Sequence, residues 1–169
     1  MQADGLAIRP LGPGDAQAIL EIYRQCADFL ALGPQPQATL DMVLADLRHS
    51  VEEHGRFCGI FHPADRLVGV VDYVPGMYQG DPQRAFLSLL MIGRPYRSRG
   101  LGAAVVAALA GESLKDSQVV EIHSAVQVNN PRAIRFWERM GYRIIGGPQR
   151  NPDQTIVYLL SKRLRESNA

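Results

Sequence analysis

The stretch AFLSLLMIGRPYRSRGLGA, residues 85–103, decides the fold. Its first part, residues 85–92, is a near-continuous apolar run, which predicts a central strand buried on both faces. A turn and the segment RSRGLGA, residues 97–103, then lead into an Ala/Val-rich helix. The first backbone N–H groups of a helix lack partners and lie at the positive end of its dipole. Because Gly100 and Gly102 leave the backbone open, we predict a cradle for a diphosphate; the alternative is two glycines that only ease a tight helix start.

A second informative segment, NPRAIRFWERMGY at residues 130–142, follows after one more predicted strand. Asn130 is a good helix N-cap, Pro131 fits the first helical position, and Gly141 fits the C-cap. These residues predict a short amphipathic helix. Capping by itself accounts for Asn130.

The rest of the chain alternates between strand and helix patterns. We predict strands at residues 6–10, 56–61, 67–74, 119–128, 142–145 and 155–160, besides the run at 85–92. Further helices are predicted after Asp15 and Thr39, each of which can act as an N-cap. With no internal repeat or interdomain linker, residues 1–169 indicate a single α/β domain.

Composition excludes several classes of protein. The 169 residues carry 18 Lys+Arg against 17 Asp+Glu and are 46% hydrophobic, which is too apolar for a disordered chain and too neutral for a nucleic-acid partner. No run is long enough to predict a membrane span, and the N-terminus does not resemble a secretory signal, so we expect a cytoplasmic protein. Cys26 and Cys58 are expected to be reduced thiols, and no metal site is predicted.

The two segments, taken in this order, resemble the GNAT superfamily of acetyl-CoA-dependent N-acyltransferases. Its R/Q-x-x-G-x-G/A pattern matches residues 97–102, and its N-x-x-A-x-x-F/L-Y-x-x-x-G-F/Y pattern matches residues 130–142 except at one position. The resemblance covers the core at residues 67–160. It implies a mixed, mostly antiparallel twisted sheet of six to seven strands with helices on both faces.

The resemblance also implies how acetyl-CoA, as cosubstrate, would bind. The fourth and fifth strands of such proteins splay apart, and the pantetheine arm enters the gap like an added strand. The backbone N–H of Ile92 is the expected oxyanion donor. The residues implied in cofactor binding are Leu90, Ile92, Arg97, Ser98, Arg99, Gly100, Leu101, Gly102, Ala103 and Asn130.

The one departure from the second pattern concerns the proton for the departing thiolate. Many family members have a tyrosine where this chain has Trp137, and an indole N–H does not deliver a proton at neutral pH. The thiolate then leaves with hydrogen-bond help alone, or Tyr142, Tyr158 or Tyr78 supplies the proton from another direction.

The general base has more than one candidate. Asp72, inside an apolar strand, is the first, since burial can raise the pKa of a carboxylate towards working pH. A structural, hydrogen-bonded role for Asp72 is the alternative. His123 is the second candidate because histidine titrates near neutrality, and Glu121 shares its strand face.

The expected function is transfer of an acetyl group to a primary amine of a small molecule or protein. Phe29, Met77 and Tyr78 lie in loop-like segments outside the cofactor motifs and are the candidate acceptor-binding residues. The alternative function is a CoA-binding sensor or interaction module with little catalysis. Neither a nucleic acid nor a membrane is expected as a partner, and a homodimer is left open.

Overall fold

A computed structural model describes residues 2–3 and 5–165. The helices are α1 (Ala16–Gln25), α2 (Ala27–Leu30), α3 (Leu40–Glu52), α4 (Leu101–Ser113) and α5 (Pro131–Arg139). The strands are β1 (Gln2–Ala3), β2 (Leu6–Pro10), β3 (Arg56–His62), β4 (Arg66–Val74), β5 (Arg84–Ile92), β6 (Glu121–Gln127), β7 (Arg143–Arg150) and β8 (Ile156–Arg163).

Within the described residues, the strands form one sheet in the order β1-β2-β3-β4-β5-β6-β8-β7. Every neighbouring pair is antiparallel except β5 and β6, which run parallel. The predicted mixed, mostly antiparallel sheet is therefore confirmed. Its seven longer strands correspond to the predicted ones, and β1 adds a pair of residues at the edge beside β2.

Helices cover both faces of the sheet, as predicted. Helices α1 and α3 pack on one face, where Ile19, Tyr23 and Val43 join side chains such as Val70 and Met91. Helices α4 and α5 pack on the other face, in a second core built on Val105, Leu109 and Trp137 with Leu87 and Ile122. We call these the α1/α3 face and the α4/α5 face.

Local signals set several element boundaries as expected. The Thr39 side chain caps α3 by accepting a hydrogen bond from the Met42 N–H at 3.1 Å. The Asn130 carboxamide oxygen caps α5 through the Ala133 N–H at 3.0 Å. Asp15 differs: its side chain accepts from the Gly12 N–H at 2.9 Å and so stabilises the turn before α1, not the helix itself.

The parallel pairing of β5 with β6 is short. It runs from Arg84 opposite Glu121 to Leu87 opposite Ser124 and then stops. Residues 88–92 of β5 and 125–127 of β6 therefore border an opening, which we call the gap. The prediction that β5 is buried on both faces is wrong for residues 88–92, where β6 no longer pairs with β5. Ser88 is exposed there, and Leu90 and Ile92 are half-buried.

Two further expectations concern the cysteines and membrane spans. Cys26 and Cys58 are both buried and unbonded to each other, as expected of reduced thiols. In the part of the chain that the structure describes, no helix has both the length and the apolar character needed to cross a membrane.

Candidate active site

The start of α4 presents unpaired backbone donors. Gly100 is the N-cap residue, and its carbonyl oxygen accepts the first helical hydrogen bond from Ala104 at 3.0 Å. No described residue accepts a hydrogen bond from the N–H groups of residues 98–103. These donors lie at the positive end of the helix dipole and can bind an anion. We call residues 97–103 the cradle.

The two glycines of the cradle differ in backbone conformation and in the atoms around them. Gly100 has φ +79°, a left-handed conformation that residues with a Cβ adopt only at a cost. At Gly102 a Cβ atom would lie 3.4 Å from the Phe136 ring, an ordinary contact distance, so a longer side chain there would meet Phe136 of α5. The cradle is therefore closed on one side by Phe136.

Arg97 does not point its charge into the cradle, contrary to the sequence-based expectation. Its Nε donates to the Ile92 carbonyl at 2.8 Å, and its Nη1 bonds the Asp28 carboxylate at 2.5 Å. The Arg97 hydrogen bond lowers the pKa of Asp28, against a smaller opposing effect of burial. Arg97 thus ties the end of β5 to α2. Ser98 and Arg99 remain exposed, and Arg132 of α5 reaches the Ser98 hydroxyl at 3.5 Å.

The backbone of β5 offers free groups to the gap. The Gly93 N–H donates to the Val68 carbonyl of β4 at 2.8 Å. Because hydrogen-bonding direction alternates along a strand, the backbone groups of Ile92 and Leu90 point away from β4, towards the gap. The Ile92 carbonyl is taken by Arg97 and by the Cys26 thiol at 3.4 Å. The N–H of Ile92 and both backbone groups of Leu90 are left for a ligand.

Trp137 and Tyr142 pack against each other instead of facing solvent. Their rings meet edge to face, with centroids 4.9 Å apart. The Tyr142 hydroxyl is buried without a hydrogen-bond partner among the described residues, and burial raises the pKa of Tyr142. Both residues line a cavity of about 310 Å³ whose walls come from α5, β7, β8 and the turn before β7. This position favours a packing role for Tyr142 over the acid role expected of it.

Asp72 is buried and held by two hydroxyl groups. Its Oδ1 accepts from Ser50 of α3 at 2.6 Å, and its Oδ2 accepts from Ser88 of β5 at 2.8 Å. The Asp72 side chain therefore lies on the α1/α3 face and is separated from the gap by Ser88. Sequence reasoning did not assign a role to Ser50 or Ser88. The available signal was Ser88 itself, the single polar side chain in the apolar run of residues 85–92.

His123 and Glu121 lie side by side on β6, as their alternation predicts. His123 is 5% exposed, and its Nε2 lies 2.8 Å from Glu121 Oε1 without good hydrogen-bond geometry. Glu121 also accepts from Ser161 at 2.9 Å and from Arg84 at 3.3 Å. Burial opposes ionisation of Glu121, but Ser161, His123 and Arg84 together lower its pKa. In the described residues, no group of three or more His, Cys, Asp or Glu side chains is placed to hold a metal ion.

The three predicted acceptor-binding residues lie at two ends of β5. Tyr78 stacks on Phe86 near the start of β5, with ring centroids 4.2 Å apart. Met77, next to Tyr78 in the chain, is 58% exposed. Phe29 follows Asp28, the partner of Arg97, and so lies near Ile92 at the other end. Phe86 and Ile92 are about 20 Å apart along an extended strand. The structure thus does not bring the three residues into one pocket; they flank the gap.

Comparison with known sequences identifies related proteins. A sequence model of a family described as acetyltransferase (GNAT) family matches residues 16–142. The chain is 26% identical over 95 residues to N-alpha-acetyltransferase 30 of Schizosaccharomyces pombe. That match covers 56% of this chain and 63% of the yeast protein, so the chain spans less than two thirds of that relative's length.

Comparison of structures supports the same fold. An acetyltransferase from Thermus thermophilus superposes with a TM-score of 0.77 at 23% identity, over 96% of this chain and 99% of the other. A spermidine N-acetyltransferase from Vibrio cholerae, solved with CoA and spermine, gives a TM-score of 0.72 at 18% identity, over 95% and 96% of the two chains. At these identities the likeness concerns the fold alone.

Proposed function

The chain belongs to the acetyltransferase (GNAT) family, and from this premise we propose that it transfers an acetyl group from acetyl-CoA to a primary amine. The yeast relative is named as an N-alpha-acetyltransferase, and the Vibrio cholerae protein as a spermidine N-acetyltransferase that binds CoA. Both names describe transfer to an amine.

The observation that carries the proposal is the gap together with the cradle. The pairing of β5 with β6 stops at Leu87, and beyond it Leu90 and Ile92 turn free backbone groups into the opening. An extended chain with amide groups could pair there as an added strand does. The unpaired N–H groups of residues 98–103 lie beyond the same end of β5. An elongated ligand with amides at one end and a diphosphate at the other fits both features.

Different residues of the chain would bind different parts of acetyl-CoA. The cradle would bind the pyrophosphate, and Leu90 and Ile92 would pair with the pantetheine arm. Acetyl-CoA supplies an activated thioester, so the protein has to hold the amine against it, stabilise the oxyanion and remove a proton. A gap-facing N–H of β5 is the oxyanion donor in this proposal. Asn130 acts mainly by capping α5.

The chain has two candidates for the general base. Asp72 is the first candidate for the base because the Ser88 hydroxyl connects it to the gap, and the Glu121–His123 pair is the second. For the thiolate, Tyr142 is enclosed and Trp137 carries no transferable proton. In this proposal the thiolate leaves with hydrogen-bond help and takes its proton from water, and Tyr158, opposite Val126 on β8, and Tyr78 are the alternatives. The cytoplasmic location and a homodimer stay predictions.

Release of free thiol from acetyl-CoA tests the function. The purified chain is mixed with acetyl-CoA and, in turn, phenethylamine, spermine, an aminoglycoside and a peptide with a free α-amino group. Acetyl transfer predicts thiol release that depends on one of these amines, with the acetylated amine found by mass spectrometry. CoA binding by calorimetry without thiol release from any of them would favour the alternative, a CoA-binding sensor or interaction module.

A further inference from the structure

Ser88 occupies the point where β5 leaves β6. The last pair of that ladder joins Leu87 to Ser124, and Ser88 is the next residue. On the other side of β5 the register slips at the same place, with Leu87 opposite Tyr73 and Leu89 opposite Asp72. Ser88 is thus the extra residue of a β-bulge, a feature that often re-aims a side chain beside an active site. Its side chain is exposed, whereas Leu87 before it is buried.

The hydroxyl of Ser88 links this exposed point to a buried carboxylate. Ser88 Oγ lies 2.8 Å from Oδ2 of Asp72 and 3.0 Å from the main-chain oxygen of Asp72. Ser50 holds the other carboxylate oxygen at 2.6 Å, and Ser50 is itself 2% exposed. Among the described residues, no cationic side chain forms an ion pair with Asp72. Of the two hydroxyls that hold Asp72, only Ser88 is open to a ligand.

Arg56 and His49 act on two of the same neighbours as Asp72 (Cys58 and Asp46), but neither forms an ion pair with Asp72. Burial raises the pKa of Tyr23 on α1, Asp46 on α3 and Cys58 on β3, and the charge of Asp72 raises each of them further. Tyr23 donates its hydroxyl to Asp46 at 2.6 Å and is not free to serve Asp72. A purely structural buried carboxylate usually has a cation or several N–H donors around it. Asp72 instead has two hydroxyls, one of them facing outward.

The competing pair on β6 is less well placed. His123 lies opposite Phe86, in the part of the ladder that is still closed, and its Nε2 is buried against Glu121. The Glu121 carboxylate is already neutralised in part by Arg84 and receives the Ser161 hydroxyl. Neither group faces the gap beyond Leu87. Proton removal at the gap therefore has a shorter route through Ser88.

We infer that Ser88 is a catalytic residue that takes the proton of the attacking amine and passes its own proton to Asp72, with Ser50 as a positioning residue. The inference rests on the proposed acetyl transfer. As the new C–N bond forms, the N–H bond of the amine breaks and its proton moves to Ser88 Oγ, while the Ser88 proton moves to Asp72 Oδ2. The C–S bond then breaks, and the CoA thiolate takes a proton from water. Asp72 returns its proton to solvent through Ser88.

The same geometry selects the oxyanion donor. The donor and Ser88 must both contact one reacting centre. Leu90 is the nearest gap-facing N–H to Ser88, about 7 Å along the strand, whereas Ile92 is about 13 Å away. Leu90 therefore replaces Ile92 as the expected oxyanion donor, and the Ile92 N–H is left for the pantetheine arm.

A pair of nearly isosteric variants tests the role of Ser88. Ser88→Thr keeps the hydroxyl and Ser88→Val replaces it by a methyl group, and both residues suit a strand. With the most active amine of the panel above, we expect Ser88→Val to lower kcat by about a hundredfold, the scale of general acid–base catalysis, and Ser88→Thr to stay within about tenfold of wild type. CoA affinity, measured by calorimetry, should be unchanged in both. Ser113→Ala, which removes a buried α4 hydroxyl without a partner among the described residues, is the control.

A second set of variants tests whether Ser88 and Asp72 act together as a proton relay or affect kcat independently. Asp72→Asn should remove the acidic limb of the kcat/KM pH profile, and Ser88→Val with Asp72→Asn should be no slower than the slower single variant, because groups that act as a unit are not additive. Losses that multiply, full activity in Ser88→Val, or an acidic limb lost only in His123→Ala would each overturn the relay. A wild-type chain that binds CoA but acetylates no amine would overturn the proposed function and the relay together. Activity that survives in Ser88→Val overturns the relay alone.

Discussion

The cradle at the start of α4 and the polar cluster of Ser50, Asp72 and Ser88 lie at different points along β5 and are built differently. The cradle uses backbone N–H groups of consecutive residues, 98–103, and needs glycine for its shape. The polar cluster uses side chains from α3, β4 and β5 that meet only because these elements pack together. The cradle is formed by neighbouring residues in the sequence, whereas the polar cluster joins residues that are distant in the sequence.

This difference bears on how each site tolerates change. Only proline removes a backbone donor, so most other substitutions disrupt a cradle by what they add to it: a side chain, a charge or a strained φ. A side-chain cluster is disrupted by what is taken away, one hydroxyl or carboxylate at a time. Large effects on CoA binding should therefore come from glycine substitutions, and large effects on kcat from deletions on the α1/α3 face.

The largest expected effect is on CoA binding by Gly102→Asp. The new side chain would begin 3.4 Å from Phe136 at the edge of the cradle, where its carboxylate stabilises the helix start but repels a diphosphate. We expect CoA affinity to fall by at least about a hundredfold in calorimetry, with the melting temperature maintained. Gly111→Asp is the matched control, since a Cβ at Gly111 meets no atom within 4 Å and lies near the other end of α4. Unchanged CoA affinity in a folded Gly102→Asp variant would refute the cradle.

A smaller effect is expected at Met77 and Tyr78, which we predict to contact the acceptor. Replacing Met77 and Tyr78 by alanine removes an exposed apolar side chain and the ring stacked on Phe86. We expect the acceptor KM to rise by about tenfold, or about 1.4 kcal/mol, while CoA affinity stays the same. Val51→Ala, which trims another exposed apolar side chain on α3, should change neither. If the double variant altered CoA affinity and left the acceptor KM unchanged, Met77 and Tyr78 would be assigned to CoA binding and not to acceptor binding.

Trp137→Phe should have a smaller effect on kcat than the Met77 and Tyr78 substitutions have on the acceptor KM. The indole cannot supply a proton, and its visible contacts are edge-to-face packing on Phe136 and Tyr142. We expect kcat to remain within about tenfold of wild type, and the free energy of unfolding to fall by about 1 kcal/mol through lost ring packing. Steady-state kinetics and urea unfolding measure the two. A drop in kcat of about a hundredfold, the acid–base scale, would place Trp137 at the chemistry instead.

The smallest effect concerns the Asp28–Arg97 pair. Arg97 lowers the pKa of Asp28 in the folded chain, so the pair stabilises the fold above the pKa of an unfolded aspartate, about 4, and this stabilisation is lost as pH falls through the folded value. Asp28→Asn should then be less stable than wild type at pH 7 by no more than about 1 kcal/mol, because the carboxylate is half exposed. Urea unfolding at a series of pH values should show this difference shrink as pH falls from about 4 through the folded pKa of Asp28. A difference that did not change with pH would mean that the charge of Asp28 does not cause it.

Several features of the molecule could be predicted from the sequence because they depend on neighbouring residues. The caps at Thr39 and Asn130 need an oxygen three residues before an unpaired N–H. The left-handed turn at Gly100 needs a missing Cβ, and the strands follow from short apolar runs. Together with the family resemblance, these local rules were enough to predict the mixed sheet, the helices on both faces and the gap after the central strand.

Only the tertiary structure decided which distant groups meet. Arg97 lies within a cationic segment in the sequence, yet it bonds Asp28, 69 residues away, because α2 packs over the end of β5. Asp72 was recognised as a buried carboxylate, but its partners Ser50 and Ser88 depend on the placement of α3 and on a one-residue bulge in β5. A bulge changes which residues of a strand face a given side, and no periodicity in the run at residues 85–92 shows where it occurs. Side-chain contacts between elements follow from register and packing, which are properties of the whole sheet.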